Sequence, residues 1–274
     1  MKRTFTKSIR VFWVLVFFGI IPSLATGTPV TLSDVPAYNW YHGCGPTTAG
    51  SIIGYWDLHG YPNLFTASGP NVFLTANVQD QISSPAHNAK YDPTPDVADI
   101  ILPIPPMTSI ADWFRTSVDP QEYGSSSNYY APEAFTGYAD YRSYIFNAEN
   151  KSYKHYSWIG QFTWNDVTNE INTGRPVMFL VDSGGDGLTD HFVPVLGYDD
   201  RGTGGLWYGF YTTWSEEETI RWEQFQEMSS GYAWGVGYAT FVQPVSAPVP
   251  EPATMLLLGS GLISLLGLRR KFKK

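Results

Sequence analysis

The sequence predicts an α+β fold, with a helix carrying the only cysteine in its first part and an antiparallel sheet in its second. Three observations predict it. Ala49, Ile52, Ile53 and Trp56 fall at i, i+3, i+4 and i+7, the apolar stripe of one helix face, directly after Gly43-Cys44-Gly45-Pro46-Thr47-Thr48. Short apolar runs separated by Gly/Asp turns then follow from Pro176 onward, which is strand-and-turn patterning. Between them, residues 61–157 are rich in Pro, Asn, Ser and Tyr and carry only short periodic stretches.

Pro46 suits the first turn of the helix and Gly60 its end, which puts Cys44 at the N-terminus. Unsatisfied backbone N–H groups and the macrodipole there favour a thiolate, the help a cysteine nucleophile needs. A buried cysteine acting as a small hydrophobe is the alternative. Thr31 to Asn39 reads as an extended entry to this helix. In the middle region Ser109 caps a predicted helix carrying Ile110, Trp113 and Phe114, and Pro132 opens another carrying Phe135 and Tyr138. So long a stretch of loop residues inside one domain points to substrate-contacting loops.

Thr163 begins the next helix, with Trp164, Val167 and Ile171 on one face, Asp166 in the first turn and Gly174 just past the end. The predicted strands are Pro176 to Val181, Phe192 to Leu196, Leu206 to Thr212, Thr219 to Trp222 and Val236 to Val242, joined by short turns as a meander.

The two ends read as addresses. Lys2, Arg3, Lys7 and Arg10, the apolar run Val11 to Ile21 and Ser23-Leu24-Ala25 form a secretory signal over 1–25. At the other end, over 247–274, Val249-Pro250-Glu251-Pro252 precedes an apolar run from Met255 to Leu268 and a basic cluster, Arg269 to Lys274. This order resembles the PEP-CTERM sorting signal. The resemblance implies processing by an exosortase-type enzyme, a transient anchor through a C-terminal transmembrane helix, and export to the envelope or exterior of a Gram-negative bacterium.

What lies between, residues 26–246, is one domain with a variable insertion at about 61–157. It holds 8 Lys and Arg against 24 Asp and Glu, a net charge near −16. That excludes nucleic acid and anionic membrane surfaces as partners, since both need a basic patch.

A cysteine nucleophile needs a base, and histidine titrates in the right range. His42 shares the approach loop with Cys44, His59 closes the first helix, and His87 and His155 have polar, loop-like surroundings. His191 instead opens an apolar strand directly after a turn, so a rigid element presents it. Asp182, Asp186 and Asp190 with Gly187 form an acidic loop. Val193 stands where a calcium loop would close with Glu, so the ligand pattern is incomplete, and no metal or cofactor is expected. Glu216 to Glu218 read as a solvated turn.

Asn39 to Thr47, Gly54-Tyr55-Trp56-Asp57, Gly174-Arg175-Pro176-Val177 and His191 to Asp199 together resemble the papain-like cysteine peptidases, nearest to the bacteriocin-leader (double-glycine) branch. The resemblance implies a papain-like fold, a peptide or protein substrate, Cys44 as nucleophile and His191 as general base. Two positions depart from it. Tyr38 and Asn39 stand where the family has an oxyanion-binding Gln, and Asn39 offers a shorter amide. Thr212 stands where an Asp or Asn orients the imidazole, and its hydroxyl is expected to accept the ring N–H without supplying charge. Those departures also keep open an inactive peptidase fold that binds matrix polysaccharide or protein through Tyr- and Trp-rich loops.

Overall fold

The computed structural model describes residues 27–66, 75–91, 107–118, 122–154, 159–214 and 219–246. In chain order the elements are β1 (Val30–Thr31), α1 (Cys44–Leu58), α2 (Ala76–Ile82), α3 (Pro85–Tyr91), α4 (Ile110–Phe114), α5 (Ala131–Tyr141), β2 (Ile145–Ser152), α6 (Trp164–Asn172), β3 (Val177–Asp182), β4 (His191–Asp200), β5 (Leu206–Phe210), β6 (Arg221–Gln224) and β7 (Gly235–Ser246). The strands form one antiparallel sheet in the order β2-β7-β3-β4-β5-β6, with β1 paired to β4. This is the α+β arrangement of a papain-like fold.

β3 reads as an unbroken apolar run because both faces of the sheet are covered. Its side chains alternate. Met178 and Leu180 join the core under α1, α4 and α5, with Ile52, Ile53, Phe114, Phe135 and Phe192. Val177, Phe179 and Val181 join the opposite core, with Phe162, Val167 of α6, Val193, Phe210 and Phe241. The helix ends follow local chemistry. Ser109 with Asp112 and Thr163 with Asp166 form capping boxes at the starts of α4 and α6, each Ser/Thr–Asp pair occupying otherwise orphaned N–H groups. Gly174, just past α6, has φ of 77°, a conformation that costs a glycine nothing.

The sheet is not a simple meander. β3 to β6 run in sequence, but β7 returns to pair with β3 on the other side. β2, inside the stretch read as loops, then pairs with β7 from Ser152↔Tyr238 to Ile145↔Ser246.

The expected transmembrane helix is corrected. No helix among the described residues is long and apolar enough to cross a membrane. The run Met255 to Leu268 that carried the expectation lies outside the described residues. At ~1.5 Å per residue it would reach about 21 Å, short of a ~30 Å hydrocarbon core. The signal at 1–25, His155 and Glu216 to Glu218 also lie outside the described residues.

Candidate active site

Cys44 is the first residue of α1, and the residues around it are chosen by crowding. Gly43 has φ of 143°, and a Cβ there would stand 2.8 Å from Thr116 Cγ2 and 2.9 Å from the Gly124 carbonyl. A Cβ on Gly45 would stand 2.9 Å from Ser126 Oγ. Both glycines on either side of the cysteine are thus needed because the middle of the chain closes on the helix start. Thr47 fixes the same turn: its Oγ accepts the Tyr41 N–H at 3.0 Å and donates to the Gly43 carbonyl at 2.7 Å. Further along α1, Thr48 Oγ donates to the Phe192 carbonyl at 2.9 Å, which ties the helix to the start of β4.

His191 is that strand's first residue. Cys44 and His191 line one cleft of about 420 Å³, together with Trp40, Tyr123, Ser126 and Phe192. The two side chains share no hydrogen bond in this state. The thiol instead receives N–H contacts from Phe192, Gly45 and Cys44 itself.

The imidazole is held through Nε2. Nε2 donates to the backbone carbonyl of Thr212 at 2.8 Å and lies 3.4 Å from Thr213 Oγ. Donation from Nε2 fixes the neutral tautomer with its lone pair on Nδ1, the atom able to accept a proton. Trp214 lies tilted against the ring with centroids 4.6 Å apart, and Trp234 meets it edge-on at 6.1 Å.

The expected contact from the Thr212 hydroxyl is therefore corrected: the residue's backbone carbonyl meets the imidazole, while the hydroxyl accepts the Trp214 N–H at 3.3 Å. The turn is held by Thr213, a buried β-branched residue at φ of 60°, whose carbonyl accepts the Trp40 N–H at 2.5 Å. That bond also ties the turn to the segment bearing Asn39. Asn39 is half-buried, and its Oδ1 is buried without a hydrogen-bond partner among the described residues.

Burial decides the charge state of both groups. It pushes the Cys44 thiol up, against the lowering by the three N–H groups, and nearby Asp190 adds to the rise. Burial pushes His191 down, outweighing the Thr212 carbonyl and the Asp190 charge, which raise it. The N–H groups at the helix start thus act as expected on the thiol but are outweighed, so burial favours the neutral forms of both groups.

The other described histidines have structural roles. His59 Nδ1 meets the Tyr55 carbonyl at 2.7 Å, and its ring stacks on Tyr55. His42 meets the Tyr123 hydroxyl at 3.3 Å. His87 lies buried between Asp112 Oδ1 at 2.8 Å and the Thr116 carbonyl at 3.0 Å. It pins the turn whose Thr116 and Ser117 bond to Ser126 Oγ and the Gly124 N–H on the cleft wall.

Asp199 pairs with Arg201 at 2.6 Å, away from the imidazole. In the acidic loop, the Asp182 carboxylate accepts the N–H groups of Gly185, Asp186 and Gly187, and Asp190 accepts the N–H and hydroxyl of Ser183. These oxygens organise a turn.

Sequence reasoning did not single out Trp214, Trp234 or the wall Glu122 to Ser126. Trp214 stands two residues beyond Thr212 and Trp234 belongs to no motif, while the wall lies in the stretch read only in general as substrate-contacting loops.

The chain matches the Peptidase_C39-like family over residues 32–234 and the PEP-CTERM protein-sorting motif over 248–271. No curated protein matches it. The sorting motif marks an exported protein of the Gram-negative cell envelope. With the family match spanning most of the chain and the cysteine helix set against an antiparallel sheet, the chain belongs to the Peptidase_C39-like family.

Proposed function

We propose that this protein is an exported cysteine peptidase that cleaves peptide bonds through Cys44 and His191. One observation carries the reading: both side chains open on one cleft, while the Thr212 carbonyl holds Nε2 and leaves the Nδ1 lone pair available. In this scheme a side-chain rotation brings the thiol to Nδ1. The Sγ–H proton passes to the imidazole as sulfur attacks the substrate carbonyl carbon. The oxyanion takes hydrogen bonds from the Cys44 N–H and the Asn39 amide. Imidazolium then returns the proton to the leaving amine, giving a thioester. Water, deprotonated by His191, hydrolyses it to the carboxylate and the free thiol. The working domain is taken as 26–246, freed from the signal at 1–25 and processed at 247–274 by an exosortase-type enzyme.

Iodoacetamide tests the pair. Cys44 is expected to alkylate about 10²- to 10⁴-fold faster in the wild type than in His191→Ala, the usual range for a positioned base. Equal rates in the two proteins would sink the proposal. A second reading, an inactive fold that binds matrix polysaccharide or protein, draws support from the burial that disfavours the charged forms of both groups. Equal alkylation together with saturable binding of such a polymer is the result that would select it.

A further inference from the structure

The cleft continues beyond the thiol. Ser125, Ser126, Leu180 and Thr189 line both it and an adjoining hollow of about 480 Å³, so the two form one groove. One end holds Trp40, Cys44 and Glu122, and the other holds Tyr129, Asn150 and Tyr238. Ser125 to Ser127, Asn128 and Asn150 line it together with Leu180, Ile159 and Tyr238. That mixture suits a polypeptide, whose main chain needs hydrogen bonds and whose side chains need apolar contact.

Charge is unevenly placed. Glu122 and Asp190 line the thiol end, and among the described residues no lysine or arginine lines either part of the groove. Both carboxylates are exposed. Glu122 makes no side-chain hydrogen bond or ion pair among the described residues. Asp190 lies close enough for its field to reach both Cys44 and His191.

We propose that the groove takes an extended polypeptide with a lysine or arginine beside the bond presented to Cys44. Glu122 and Asp190 receive that cation, and the wall from Ser125 to Tyr129 holds the flanking residues. This rests on reading Cys44 as the nucleophile, but binding tests it without requiring turnover.

The test uses Cys44→Ala and two fluorescein-labelled 12-residue Gly/Ser/Ala peptides, one with three lysines and one with three glutamines in their place. Fluorescence anisotropy reads the affinities. The lysine peptide is expected to bind about tenfold tighter, as two solvent-exposed ion pairs allow. Adding Glu122→Gln is expected to lower the preference to about threefold, and adding Asp190→Asn as well to under about twofold. Asparagine retains an acceptor for the Ser183 N–H, and an unchanged melting temperature checks the fold. Four results would overturn the proposal: no binding, equal affinities, a preference that survives both substitutions and so reflects only overall charge, or tighter binding of a glucosamine hexamer than of the lysine peptide. Failure here leaves the iodoacetamide result standing, and equal alkylation rates with and without His191 would remove the nucleophile while leaving the peptide affinities measurable, so the two failures are distinguishable.

Discussion

Replacing Thr212 by alanine separates two accounts of how the imidazole is held. The ring is anchored by the residue's backbone carbonyl at 2.8 Å, which alanine retains. The substitution removes only the hydroxyl that accepts the Trp214 N–H at 3.3 Å, a long bond at a half-buried residue. Such a bond contributes about 0.5 kcal/mol, the low end for a neutral pair, and its loss is worth a factor of about two to three in rate. Were the hydroxyl itself the third catalytic member, the loss would approach the ~10⁴-fold seen when an orienting side chain is disabled. The second-order rate of Cys44 alkylation by iodoacetamide, followed by mass spectrometry, distinguishes these. Thr212→Ala should stay within about threefold of wild type, and Thr212→Asp should bring no gain. A fall beyond about a hundredfold at unchanged melting temperature would refute the carbonyl-anchor argument.

Three further outcomes are expected. His191 must be neutral to accept a proton, and burial lowers its pKa, so reactivity should persist below the ordinary imidazole value of about 6.5 and fall only as pH drops through the depressed value. A pH–kcat/KM profile with its acid midpoint at or above 6.5 would contradict this. Burial raises Asp112, but hydrogen bonds from His87 and Ser109 outweigh it and hold the carboxyl below its usual range. Its stabilisation is therefore present above the unfolded value of about 3.9 and is lost as pH falls through the folded one. Asp112→Asn, by breaking a buried pair, should cost about 3 kcal/mol and lower Tm by roughly 10 °C; a shift under about 2 °C in thermal unfolding would show that the pair does not hold the cleft wall. Gly45→Ala places a methyl 2.9 Å from Ser126 Oγ and 3.2 Å from Phe114 Cζ, so overpacking should cost about 1–3 kcal/mol, read in the same unfolding experiment, where an unchanged Tm would contradict the crowding argument.

How much of this was legible in the sequence depends on where the determinants lie. α1, α6, β3 and β4 were readable because period, cap and turn residues agreed: Thr163 and Asp166 do form a capping box, and the Pro176 to Val181 run does sit between two cores. β2 was not, because Asn147, Glu149, Asn150 and Lys151 are poor strand formers, and only pairing with β7 places them in a sheet. For Thr212 the sequence reveals side chains only, and the group that meets His191 is a carbonyl every residue carries. Similarly, the N-terminal position of Cys44 was visible, but the burial that reverses its effect on the thiol depends on distant segments closing around it. The glycines at 43 and 45 were visible as a motif; that Thr116, Gly124 and Ser126 require them was not.

The most direct measurement is the intact mass of the protein, quenched in acid after mixing with an activated acyl ester of a short peptide. The account predicts a thioester adduct on Cys44 in the wild type, formed at least 10²-fold more slowly in His191→Ala and absent in Cys44→Ala. A wild type that accumulates no adduct and releases no acid, or one that acylates as fast without His191, would contradict it.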